Sequence, residues 1–185
     1  MTTPAPLPAD AAEVLRFWRD AGPERWFRKD EAFDRDFRER FLALHFAAAR
    51  RELDGWMASA DGTLALLILL DQFPRNAFRG TAHMYATDPL ARHVARHARA
   101  AGYLQQVEPA LALFLNLPFV HSEDLADQAL AVAQSATLGA VPREHAEGHR
   151  DIVQRFGRFP HRNRLLARET SAAEQAFLDQ GGFAG

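Results

Sequence analysis

The chain has 185 residues, 48% of them hydrophobic and 25% charged, which is ordinary globular composition and enough length to bury a core of its own. A formal net charge of -2 and a pI near 6.4 separate it from the basic proteins that hold nucleic acid or anionic membranes, and the absence of cysteine excludes disulfides, thiolate nucleophiles and sulfur-ligated metals. The longest strictly apolar run, Leu64 to Leu70, is far shorter than the roughly 20 residues of a spanning helix, and Met1 to Asp10 has neither the basic nor the apolar region of a secretion signal. These bulk properties predict a water-soluble cytoplasmic protein with no nucleic-acid partner, no membrane partner and no cofactor.

Helix punctuation runs the length of the chain. Asp10 stands as an N-cap for Ala11 to Asp20, where Val14, Leu15 and Trp18 make one apolar stripe, and Gly22-Pro23 stops it. Asp30 caps a long second helix in which Phe33, Phe37, Phe41, Leu44 and Ala48 recur at helical spacing. The Leu64 to Leu70 run is rich in leucine with one β-branched residue, Ile68, which predicts a buried helix ending before Pro74. Asp88-Pro89 supplies a cap and an N1 proline for a helix over 89–101, closed by Gly102, and Glu108-Pro109 repeats the device. Ser122, followed by Glu123 and Asp124, predicts a capped helix running to Gly139, and Val141-Pro142 opens another that closes near Gly157. Ser171 with Glu174 fits a capping box, and Gly181-Gly182 ends the final helix.

No alternating strand interrupts this series, so the expected fold is all-α, a single domain over 1–185 with loose tails at 1–9 and 181–185. Pro89 to Glu123 is 34 positions and Pro109 to Pro142 is 33, close to the TPR period of about 34. The repeat does not extend to either side and the TPR consensus residues are absent, so the expectation is an irregular stack of antiparallel helical hairpins.

Three segments combine helix ends, prolines and dense polar groups: residues 71–80, from Asp71-Gln72-Phe73-Pro74-Arg75-Asn76 to Arg79-Gly80; residues 118–124, Pro118-Phe119-Val120-His121-Ser122-Glu123-Asp124; and residues 155–163, Arg155 to Asn163. With Val14-Leu15-Arg16-Phe17-Trp18 before them and Glu174 to Leu178 after, in one order over most of the chain, they resemble the bacterial domain-of-unknown-function family 924. Asp88, Gln128 and His149 are further matching positions. The resemblance implies a TPR-like fold and brings with it no activity, cofactor or catalytic residue.

The chemistry must therefore be read from residue types. Arg75, Arg79, Arg158 and Arg162 present planar forks suited to carboxylate or phosphate, and Asn76, Asn163 and His121 can orient such a ligand. On this reading the chain binds a small anionic ligand or an acidic peptide end. The opposing reading has the same arginines pairing with Asp71, Glu123 or Asp124 to tie loops together. A hydrolase with His121 as base and Glu123 as acid or orienter, and arginines stabilising charge, is an alternative, and a structural scaffold is a second. Ser122 reads as a cap rather than a nucleophile. His145 and His149, four apart on one predicted face, could meet a metal, but His145-Ala146-Glu147-Gly148-His149 matches neither zincin order, and a histidine at the core edge is the simpler role. His93 and His97 among Arg92, Arg96 and Arg99 read as a solvated basic face. A homo-oligomer is compatible with all of these.

Overall fold

In the computed structural model, which describes residues 7–183, glycines, prolines and acidic caps end the helices much as the sequence predicts, and no strand occurs among the described residues. The arrangement is all-α and compatible with the TPR-like class. Chain contacts divide it into two compact units, one of the described residues up to 79 with 83–118, the other of 80–82 with the described residues from 119 on.

The first unit is built on aromatic packing. Helix α1 (Ala9–Ala21) buries Val14, Leu15, Phe17 and Trp18. It begins earlier than expected: Pro8 holds the cap position, and Asp10 instead lies in the first turn, where its charge suits the helix dipole. Of the expected loose tail, residues 1–6 lie outside the described residues and Ala9 is already helical, and residues 184–185 are likewise outside. The short turn α2 (Pro23–Trp26) lays the Trp26 ring parallel to Trp18 at 6.3 Å, and Trp26 Nε1–H donates to the Trp18 carbonyl at 2.7 Å. Helix α3 (Glu31–Ala49) is capped as predicted, the Asp30 carboxylate accepting from the Ala32 and Phe33 N–H groups at 3.1 Å each. Its buried face is Phe33, Phe37, Phe41 and Ala48, but His45 is fully buried where Leu44 is only half-buried. Phe17 stacks on Phe33 and Phe37 at 5.2 and 5.1 Å, and each buried ring of this kind contributes roughly 1.5–3 kcal/mol.

The run expected to end before Pro74 does not end there. Helix α4 (Ala60–Leu67) packs on α1, widens into a π turn over Ile68–Gln72, and continues as α5 (Phe73–Ala77) with Pro74 in its first turn. The wide turn, with Phe73 N–H reaching back to the Ile68 carbonyl, places Pro74 where its missing N–H starts a helical turn instead of breaking one. Carbonyls released by this irregularity are taken by side chains. His45 Nδ1 bonds Leu69 O at 2.9 Å, Thr87 Oγ1–H donates to Leu70 O at 2.5 Å, and Arg75 Nη1 donates to Asp71 O at 2.7 Å.

Helix α6 (Asp88–Ala100) packs on α4 and ends at Gly102, whose φ of 67° is the left-handed conformation a glycine adopts without strain. Asp88 does not cap it; its carboxylate turns to Arg75. Glu108-Pro109 opens a 3₁₀ run, Pro109–Leu115, rather than an α-helix. The near-34 spacing therefore does not mark two equivalent helix pairs.

In the second unit the one-turn α7 (Leu117–Val120), which enters from the first, leads to α8 (Leu125–Ser135) and α9 (Ala140–Phe156), which pack on each other as a helical hairpin. The cap of α8 is Asp124, accepting from Ala126 and Asp127 N–H at 2.8 and 3.1 Å, not Ser122. Ser122 lies two residues too early and donates its hydroxyl to Asp127 Oδ2 at 2.8 Å. Gly157 (φ 71°) closes α9, and α10 (Ala172–Asp179) carries the predicted capping box between Ser171 and Glu174. Among the described residues, no helix is long and apolar enough to cross a membrane.

Candidate functional site

In the first unit the polar side chains of residues 71–79 are committed to neighbours. Arg75 makes a two-pronged bond to Asp88 at 2.9 and 3.1 Å and lies 3.2 Å from Asp71 Oδ1. Arg79 grips Asp34 at 2.9 and 3.1 Å, and Asn76 Nδ2 donates to the same carboxylate at 2.7 Å. Asp34, in the first turn of α3, thereby ties α3 to α5. Buried His45 is the other notable group. A carbonyl only accepts, so Nδ1 carries the proton to Leu69 and Nε2 faces His83 Nε2 at 3.2 Å. Burial holds the His45 imidazole below its ordinary pKa.

In the second unit segments 118–124 and 155–163 come together. Arg162, stacked over Phe159 at 4.6 Å, donates to the His121 carbonyl at 3.0 Å, and Phe159 N–H donates to Glu123 at 2.9 Å. Gln128 Nε2 closes the turn, donating to Val120 and Ser122 carbonyls at 2.8 and 2.6 Å. Glu123 also takes both prongs of Arg168 at 2.8 Å. Burial pushes its carboxyl up, but the Arg168 and Phe159 hydrogen bonds and the nearby Arg162 charge outweigh that and hold it below the usual carboxylate range. It is thus kept as an ion with three donors, the state of an orienting group rather than of a proton donor.

Arg158 pairs with Glu174 at 2.6 and 2.9 Å and donates to the Glu169 carbonyl at 2.7 Å. The Arg158 hydrogen bonds, working against burial, draw the Glu174 carboxyl down to about 2. Asn163 is fully buried, with Nδ2 3.4 Å from Thr170 Oγ1. Beside these pairs lies a hollow of about 510 Å³ lined by Arg158, Arg168, Glu169, Thr170 and Ser171. Arg158 and Arg168 remain 32% and 30% exposed there. Their carboxylate partners leave Arg158 Nη1 and Arg168 Nε without a protein acceptor among the described residues.

His145 and His149 do share a face, their rings 4.4 Å apart. His149 Nδ1 bonds the His145 carbonyl at 2.9 Å, and burial lowers its pKa to about 3. Phe183 covers both rings, at 6.4 and 4.6 Å, and His161 at 5.1 Å. Among the described residues no group of three or more His, Asp or Glu stands where it could hold a metal ion. His97, read as part of a solvated face, reaches back to the Met57 carbonyl at 2.9 Å.

Residues 14–182 match the family described as bacterial protein of unknown function (DUF924). The chain belongs to this family. The solved structure of a protein of unknown function from Agrobacterium tumefaciens is similar to it at 57% identity with a TM-score of 0.91, covering 92% of this chain and 97% of that one. No curated protein matches the chain.

In this DUF924 chain the sequence reading missed the partners more than the motifs. Asp34 sits on an exposed-looking helix turn and Arg168 stands outside any motif, so neither carried a local signal. What brings Arg168 back is the turn after Arg162: Ala167 has φ 52°, and Arg168 N–H donates to the Asn163 carbonyl at 2.8 Å. Glu174 was legible, but only as a cap; its second bond, to Arg158, joins residues 16 apart in the chain.

Proposed function

We propose that the chain is a cytoplasmic helical-hairpin protein that binds a small anion, or the acidic end of a peptide, at the hollow between Arg158 and Arg168. The observation that carries this is the pair of partly exposed guanidinium groups, each with a donor to spare, lining a space that Glu169, Thr170 and Ser171 also line. Asn163 supports the Thr170 wall, while Arg162 and His121 hold the turn behind it. Arg75, Asn76 and Arg79 act in this reading as helix locks, since their acceptors are Asp71, Asp88 and Asp34. The engagement of these groups also favours a scaffold as the second reading. A hydrolase built on His121 and Glu123 has less support, because Glu123 is bound to three donors.

Succinate and inorganic phosphate, titrated separately at pH 7, are expected to raise the thermal midpoint of the wild-type chain. Thr170→Val and Arg168→Gln reduce the rise. If neither ion moves the midpoint at tens of millimolar, the anion reading falls and the scaffold reading stands.

A further inference from the structure

We infer that the ligand of the Arg158–Arg168 hollow is a zwitterion of the amino-acid type, carrying an ammonium group beside its carboxylate. The inference rests on the anion reading above and follows from the charges around the space. Arg158 is already matched by Glu174 at 2.6 Å and Arg168 by Glu123 at 2.8 Å, so the two guanidinium groups bring no net positive charge of their own. The remaining lining charge is Glu169, which is exposed and makes no ion pair or side-chain hydrogen bond among the described residues. A purely anionic ligand would meet two spare arginine donors and one opposing carboxylate. A ligand with a cationic end satisfies both, its carboxylate on Arg158 Nη1 and Arg168 Nε and its ammonium on Glu169.

The fixed part of the hollow suits this division. Arg158 is held on its Nε and Nη2 side by Glu174 and by the Glu169 carbonyl, which leaves Nη1 without a protein acceptor among the described residues. Arg168 is held end-on by Glu123, which leaves Nε without a protein acceptor among the described residues. These arginines are therefore preorganised, and preorganised donors lose little freedom on binding. Glu169 is adjacent in the chain to Arg168, so the carboxylate and the free Nε edge belong to one stretch of backbone. The space, about 510 Å³ and largely open to solvent, admits a molecule of amino-acid size.

The test compares two probes that differ by one group. L-aspartate and succinate have the same two carboxylates on a four-carbon frame, and only aspartate has the α-ammonium. Both are titrated into the full chain by isothermal calorimetry at pH 7, in parallel with Glu169→Gln, a substitution at an exposed residue without a partner to lose. Aspartate binds the wild-type chain roughly fivefold tighter than succinate, the worth of about one partly exposed ion pair. In Glu169→Gln the preference disappears, because aspartate weakens while succinate gains. Succinate binding as tightly as aspartate, or a preference that survives Glu169→Gln, overturns the zwitterion while leaving the anion reading in place. Binding of neither probe overturns both.

Discussion

Replacing Thr87 by Val tests the unexpected passage through Pro74. Thr87 is buried, and its hydroxyl supplies a 2.5 Å bond to the Leu70 carbonyl, the acceptor one helical turn before the proline that has no N–H to offer. Valine keeps the shape and removes the donor, leaving a buried carbonyl unpaired at a cost of about 1–3 kcal/mol. With a urea m-value near 2 kcal/mol/M, that lowers the unfolding midpoint by roughly 0.5–1.5 M without changing the slope. The same substitution in a Pro74→Ala background should cost less, since the restored N–H at position 74 can enter the turn. A double-mutant cycle read by urea unfolding should give a coupling above about 0.5 kcal/mol. A Thr87→Val cost below about 0.3 kcal/mol, or full additivity with Pro74→Ala, would refute this explanation of why the helix survives the proline.

Other consequences concern protonation and backbone. Glu174 ionises at about 2 in the folded chain against an ordinary 4.5, so the unfolded state takes up its proton first and stability drains away as pH falls from about 4.5 to about 2. Glu174→Gln removes that part of the acid limb, and an unchanged midpoint-versus-pH curve between those values would contradict it. His149 has a folded pKa of about 3 against 6.5, so its contribution is complete above 6.5 and declines as pH falls towards 3. Its ring proton shifts should stay flat from pH 8 to 5, where a titrating signal would show that the ring is not shielded by burial as described. Ala167 is exposed with φ 52°, a conformation that costs a non-glycine residue about 1 kcal/mol, so Ala167→Gly should stabilise the chain by up to that amount in thermal or urea unfolding. Destabilisation of similar size would mean that the turn does not depend on that conformation.

The helices were legible because their signals are local. Asp30 caps the helix that starts beside it, Gly102 and Gly157 take left-handed turns, and Ser171 and Glu174 complete their box within three residues. Where two local signals competed, reading in sequence chose wrongly: Ser122 and Asp124 are both good caps, and only the start of α8 at Leu125 decides for Asp124. The proline at 74 looked like a stop because the π turn that accommodates it is held by His45, Thr87 and Arg75, two of them from other elements. The arginine motifs were recognised as polar clusters, but whether a guanidinium is spent or available depends on acids distant in the chain. Asp34 lies 45 positions from Arg79, and Glu123 lies 45 from Arg168. Arg168, absent from every motif, joins Arg158 at the hollow, and both are paired with distant carboxylates just as Arg75 and Arg79 are; what sets the first two apart is the open space they line.

Arginine side-chain NMR during a succinate titration tests directly whether Arg158 and Arg168 present spare donors to a ligand carboxylate. The Arg158 and Arg168 guanidinium signals, with the backbone amides of Glu169, Thr170 and Ser171, should move together and saturate, while those of Arg75 and Arg79 stay still. Saturating shifts confined to other arginines, or no shift at 158 and 168 through tens of millimolar succinate, would contradict it.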